Sequence, residues 1–96
     1  MEPGQVVFSK AGRDKGGAFV VLRCEGNYAY LADGRLRPLA RPKKKKLMHI
    51  QPTNTVITEI KDDCEKRKYL LLDADIKKAL LPFKSKQNST ADERQS

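Results

Sequence analysis

The stretch from Gly4 to Gly17, GQVVFSKAGRDKGG, constrains the fold of this chain more than any other. Its first part, Val6-Val7-Phe8, is branched and aromatic, a composition that fits a half-buried strand. The part that follows carries Gly12, Gly16 and Gly17, which supply the positive φ angles of a tight connection and admit close approach of a ligand backbone. Beyond it, Ala18 to Arg23 is strand-like again. The expectation is two strands joined by a glycine-flanked loop that presents Lys10, Arg13 and Lys15. Cations held on exposed backbone point to a polyanionic partner.

The rest of the chain extends this pattern. Glu25-Gly26-Asn27 reads as a turn into a third strand, Tyr28 to Ala32. Asp33-Gly34 is a two-residue hairpin signal, since both residues tolerate the positive φ of a type I′ turn, and it leads into Arg35-Leu36-Arg37. Two prolines and four consecutive lysines place Pro38 to Lys46 at an edge or in a loop. Leu47 to Ile50 reads as a closing strand. After Pro52 the period changes: Thr53 or Thr55 is a cap for a short helix with Val56, Ile57 and Ile60 on its apolar side and Glu59 early. A polar stretch from Lys61 to Lys68 separates it from a second helix over residues 74–81, with Asp73 as N-cap and Pro82 as stop. Its stripe of Leu72, Ile76, Ala79, Leu80 and Phe83 is expected to pack on an open edge of the strands, because so small a domain needs the burial. From Ser85 onward no apolar anchor remains, and a disordered tail is expected.

With 96 residues the chain has room for one small core. Its net charge is +8, and the distribution is uneven: residues 1–52 hold eleven Lys/Arg against four Asp/Glu, residues 53–96 nine against eight. Nearly all the excess cation therefore belongs to the segment with the glycine loop. No apolar run has the length of a membrane span, roughly 18 residues, and the first residues lack a signal-peptide pattern, so an intracellular, soluble protein is expected. Cys24 and Cys64 have no metal-ligand spacing and read as reduced thiols, with Cys24 a small buried hydrophobe at a strand end.

Gly4, the run Ala11-Gly12-Arg13-Asp14-Lys15-Gly16 and the apolar Ala18-Phe19-Val20-Val21-Leu22 resemble the KOW motif, a strand-loop-strand unit of ribosomal proteins and transcription elongation factors. Asp33-Gly34, Arg37-Pro38 and Arg41-Pro42 with Lys43 to Lys46 are similar to the small bacterial KOW-domain RNA-binding proteins. Those are similar in turn to a group of archaeal and eukaryotic large-subunit ribosomal proteins. The resemblance covers roughly the first half of the chain and follows more loosely beyond it. The chain departs from the family pattern at Gln5, where KOW loops usually carry an acid, and in the consecutive Val6-Val7-Phe8, which blurs strand alternation. The resemblance implies a mainly β fold: a small SH3-like (KOW) barrel of about five strands over residues 1–52. One or two short helices in a C-terminal extension, residues 53–84, would pack on the barrel, and residues 85–96 would form the tail. It also implies a ribonucleoprotein component that binds ribosomal RNA in translation, with ribosomal proteins as neighbours; a cytoplasmic place agrees with the missing span and signal pattern, and with no heptad or large apolar patch a monomer is expected when free.

The residues expected to contact RNA are Lys10, Arg13 and Lys15 on the first loop, Arg35, Arg37 and Arg41 beyond the third strand, and Lys43, Lys44, Lys45 and Lys46. Lysines neutralise phosphates and release counterions, while arginines also fork onto phosphates or stack on bases. With Lys43 to Lys46 on a long loop, eight cations would lie on two neighbouring connections. Tyr28 and Tyr30 share a strand face, where they would either stack on unpaired bases or pack in the core. So few aromatics favour recognition of folded RNA by shape and phosphate placement.

Catalysis has little support: His49 is the single histidine, no serine or cysteine has a recognisable base partner, and Lys15 is followed by Gly16 instead of the Ser or Thr of a Walker loop. The carboxylate pairs Asp62-Asp63 and Asp73-Asp75 are explained by solvation and capping, and no cofactor or metal is called for. Two other readings stand beside RNA binding. One is a protein-interaction module of the SH3-like type, against which the absence of tryptophan and the basic loops argue. The other is non-specific binding of DNA.

Overall fold

The computed structural model describes residues 1–83. Five strands, β1 (Gln5–Ser9), β2 (Ala18–Glu25), β3 (Tyr28–Ala32), β4 (Lys43–Lys46) and β5 (Ile50–Val56), form one antiparallel sheet in the order β4-β3-β2-β1-β5. The first four strands run as a meander. A 3-10 turn at Leu47–His49 then returns the chain to pair β5 with β1. Helix α1 (Thr58–Lys66) follows, and a second helix, α2, covers residues 73–83. The fold is mainly β, and its bulged, curled sheet is compatible with a small barrel.

Consecutive apolar residues in β1 and β2 mean that both faces of the sheet are covered, so that neighbours on a strand feed different cores. Val7, Phe19, Val21, Ala29, Leu31 and Ile50 form one cluster. Val6, Ala18, Val20 and Ala32 form the other, against Ile60 of α1 and Ile76 and Leu80 of α2. The blurred alternation of Val6-Val7-Phe8 is thus the signature of a two-sided sheet. Register shifts between Gln5 and Val7 and between Val21 and Arg23 bend the strands there.

Several expectations are corrected. Asp33-Gly34 does not make a two-residue hairpin, and Arg35 to Arg37 is not a strand. The Asp33 carboxylate accepts from the N–H groups of Arg35 (2.8 Å) and Arg37 (2.9 Å), closing a wider loop through its own side chain. Of the edge or loop expected for Lys43 to Lys46, the structure has the edge, as strand β4, so these lysines do not lie on a long loop. Leu47 to His49 is the 3-10 turn instead of a strand. Thr53 and Thr55 belong to β5, so neither caps a helix; Thr53 Oγ1 donates to the Val6 carbonyl (2.7 Å), a bond beside Pro52, which lacks its own donor. The edge position of β5 tolerates that proline. The strand also crosses residue 52, where the sequence pattern suggested a change of element.

Helix α1 runs through residues expected to be a linker, held by the Asp62–Lys66 pair (2.9 Å), and ends where Arg67 turns left-handed. Asp73 does not cap α2. It accepts from the Leu39 N–H (2.7 Å), while Asp75 accepts from the Leu72 N–H (2.9 Å) as half of a capping box. Pro82 does not stop α2, which runs through it to residue 83, the last described, although a proline there removes one amide donor and crowds the carbonyl four residues back. Ile76 and Leu80 are fully buried, on a face of the sheet and not its edge, but Leu72 is exposed and Leu71 packs in its place. Cys24 is exposed because β2 outruns the core, and Cys64 packs at the edge of the second cluster; both are free. The tail expected over residues 85–96 lies outside the described residues. Among the described residues no helix is long and apolar enough to cross a membrane.

Candidate nucleic-acid interface

The period of a strand divides the four lysines of β4 between two faces. Lys43 and Lys45 stand opposite Leu31 and Ala29, on the side of the first core cluster; Lys44 and Lys46 stand opposite Tyr30 and Tyr28 on the outer side. Lys45 is buried, and its Nζ donates to Asp14 Oδ1 (2.8 Å) and to the Ala11 carbonyl (3.0 Å). Ser9 Oγ lies within 2.8 Å of the same Asp14 oxygen. The loop closes below them through Gly16 N–H to the Ser9 carbonyl (2.8 Å) and Gly17 N–H to the Asp14 carbonyl (2.8 Å). Burial raises the Asp14 pKa, but hydrogen bonds from Lys45 and Ser9 and the fields of Lys45 and Lys43 outweigh it and hold the carboxyl below its ordinary value. Lys45 therefore fastens the glycine loop to β4, and its ammonium is already engaged within the protein where it lines the groove.

Between that loop, the Asp33–Arg37 loop and β4 lies an open groove of about 680 Å³. Arg13, Lys15, Arg37 and Lys43 line it, over the apolar Phe19 and Leu36. None of these four cations is in an ion pair among the described residues. The two carboxylates beside them are engaged inside the protein, Asp14 by Lys45 and Ser9, Asp33 by backbone N–H groups. The groove is thus a cationic trough with arginine forks suited to phosphate.

On the outer face of the sheet, the Arg23 guanidinium lies 3.9 Å from the centre of the Tyr30 ring and the Lys44 ammonium 4.6 Å from that of Tyr28. Arg23 also pairs with Glu25 (3.2 Å), and the Tyr30 hydroxyl donates to Glu25 (3.1 Å). The hydrogen bonds from Arg23 and Tyr30 hold the Glu25 carboxyl below its usual range. Both rings are half-buried against cations instead of lying in a core. Arg23 was not among the expected site residues, since its place at a strand end carries no pattern; its spacing from Tyr30 emerges only from the β2–β3 register.

Of the ten expected residues, the groove gathers Arg13, Lys15, Arg37 and Lys43, with Lys45 in its wall already engaged by Asp14. Lys44 and Lys46 lie on the other face, so the eight cations do not form two neighbouring loops. Lys10, Arg35 and Arg41 are exposed but line no part of the groove; the Lys10 N–H donates to the His49 carbonyl (2.8 Å), and the Arg41 N–H to that of Pro38 (2.9 Å). Asp62 pairs with Lys66 and Lys68, and Asp63 accepts from the Leu70 N–H (2.8 Å), so these carboxylates serve the helix end. Among the described residues no three His, Cys, Asp or Glu side chains are placed to hold a metal ion. Comparison with known protein families and with curated proteins finds no match for the chain.

Proposed function

We propose that the chain is a non-catalytic RNA-binding protein of the SH3-like KOW type, seating phosphates of ribosomal RNA along the groove in the manner of large-subunit ribosomal proteins. One observation carries this reading: four cations converge on a trough whose two carboxylates are already engaged within the protein. Charge placement of this kind holds a polyanion through its backbone and reads its shape. The KOW-like order of strand, basic loop and strand favours RNA over DNA, with a place in the cytoplasm and in translation.

The test is fluorescence anisotropy with a folded RNA hairpin and a DNA duplex of equal length at 0.15 M salt. The double variant Arg13→Glu/Lys15→Glu keeps its melting temperature and loses RNA affinity at least tenfold, since each reversal removes a phosphate contact and adds repulsion. Unchanged affinity sinks the groove, and equal affinity for DNA sinks the preference for RNA. Sedimentation of the tagged protein with large ribosomal subunits, lost on RNase treatment, addresses the ribosomal part.

A protein contact is favoured by a separate observation. A cleft of about 480 Å³ lined by Leu22, Leu39, Cys64, Tyr69 and Leu71 lies next to the exposed Leu70 and Leu72. Ribosome association that survives in the groove variant would assign the docking to this surface.

A further inference from the structure

We propose that a second cleft, beside Tyr28, receives one unpaired nucleobase of the bound RNA; this deepens the RNA-binding reading above and rests on it. The cleft measures about 350 Å³ and is lined by Asn27, Tyr28, Lys46, Leu47 and Met48. That volume lies at the low end of the roughly 300–1,000 Å³ typical of small-ligand sites. Its walls are a half-buried aromatic ring and the thioether of Met48, a residue left 71% exposed. The Leu47 N–H donates to the Asn27 carbonyl (2.8 Å), which ties the 3-10 turn bearing Met48 to the strand end bearing the ring. The backbone that carries both walls is therefore fixed before any ligand arrives, while the exposed Met48 side chain is free to adapt to it.

The chemistry matches a base with its phosphate. A flat ring and a polarizable sulfur offer stacking surface to any base. Asn27 is exposed at the mouth of the cleft, and its side-chain amide has both a donor and an acceptor for a base edge. Lys46 lines the cleft, and the Lys44 ammonium lies over the Tyr28 ring, 4.6 Å from its centre, so one exposed lysine covers a ring face and must swing aside or cap the opposite face when a base stacks. Tyr30 does not line the cleft, and the cation over its ring is fixed: Arg23, 3.9 Å from the ring centre, is paired with Glu25, which also accepts from the Tyr30 hydroxyl. Because β4 is an edge strand whose lysines alternate between groove and cleft, an RNA with phosphates in the groove crosses this edge to place a looped or bulged nucleotide against Tyr28.

The test compares a blunt RNA duplex with the same duplex carrying one bulged adenosine, by anisotropy at fixed salt. The wild-type protein binds the bulged RNA about tenfold tighter, the scale of one base stacked on an aromatic ring. Tyr28→Leu and, independently, Met48→Ala bring that ratio to about one while leaving the affinity for the blunt duplex unchanged. Met48 is exposed, so its truncation does not endanger the fold. Arg13→Glu/Lys15→Glu weakens both RNAs and keeps the ratio. A wild-type ratio of one, or a ratio that survives both cleft variants, overturns the base site and leaves the groove standing. Failure of the wild-type protein to bind either RNA overturns both.

Discussion

The side chain of Lys45 is only 8% exposed and its ammonium donates to Asp14 and the Ala11 carbonyl, while Lys44, its neighbour on the same strand, is exposed to solvent. An ion pair this enclosed is strongly missed when one partner is removed, because the other charge is left without compensation. Lys45→Met keeps the aliphatic stem and strands Asp14, and we expect a loss of about 2–4 kcal/mol of stability in urea denaturation. Asp14→Asn/Lys45→Met should recover part of it. Asp14 also sets an acid limit. Its folded pKa is below the ordinary 3.8, so the stability it contributes is fully present above that value and is lost as pH falls through the lower, folded one. Stability measured from pH 5 to pH 2 should therefore fall less steeply in Asp14→Asn than in the wild type over this window. None of this was legible in four identical residues: a lysine run has no apolar period, so which lysine faced inward depended on the register with β3.

At the scale of elements, β1, β2 and β3 were legible because branched runs bounded by glycine and asparagine leave few alternatives. The later elements were not, because side chains took over backbone bonds: Asp33 closes its own loop, and at long range Thr53 bonds to Val6 and Asp73 reaches Leu39. Sequence spacing has no record of such partners. The seat of α2 depends on one of them and on Gly34, whose φ is +80° and where a Cβ would stand 2.4 Å from the Asp73 carbonyl oxygen. Gly34→Ala adds left-handed strain to a backbone collision that cannot relax without shifting the helix. Gly26 is the control, with φ +57° and open space around it, so that Gly26→Ala meets strain alone. Thermal denaturation should show Gly26→Ala losing about 1 kcal/mol and Gly34→Ala at least about 2 kcal/mol, with faster amide exchange in residues 73–83. Equal losses would mean that α2 yields freely and that the glycine serves only the turn.

Over the whole molecule, the charge asymmetry visible in the sequence becomes a geometric one. In α1 the cations are answered by acids, Lys61 by Glu2 and Lys66 by Asp62, which also pairs with Lys68 just beyond the helix, whereas Arg13, Lys15, Arg37 and Lys43 of the groove, like Lys77 and Lys78 of α2, are in no ion pair among the described residues. On the RNA-binding proposal the convergence of four such cations in one groove is what draws a polyanion there, and the strength of that attraction is readable in its salt dependence. Each phosphate neutralised contributes about −0.7 to −0.9 to the log-log slope of affinity against salt, so the four groove cations together supply a slope of about −3, and Lys44 and Lys46 steepen it if the RNA reaches the outer face. The same strand provides the decisive comparison. Lys43→Met should reduce the slope by about one contact, because Lys43 lines the groove without an ion-pair partner. Asp14→Asn/Lys45→Met removes a lysine too, but together with the carboxylate that neutralises it, and so leaves the charge seen by RNA unchanged. Its slope should equal that of the wild type, even though the loop it fastens becomes less stable. Anisotropy titrations between 0.05 and 0.5 M salt, roughly the range over which counterion release dominates, measure both. If the two variants flatten the slope alike, Lys45 leaves Asp14 to meet phosphate, and the run acts as a uniform patch of charge after all.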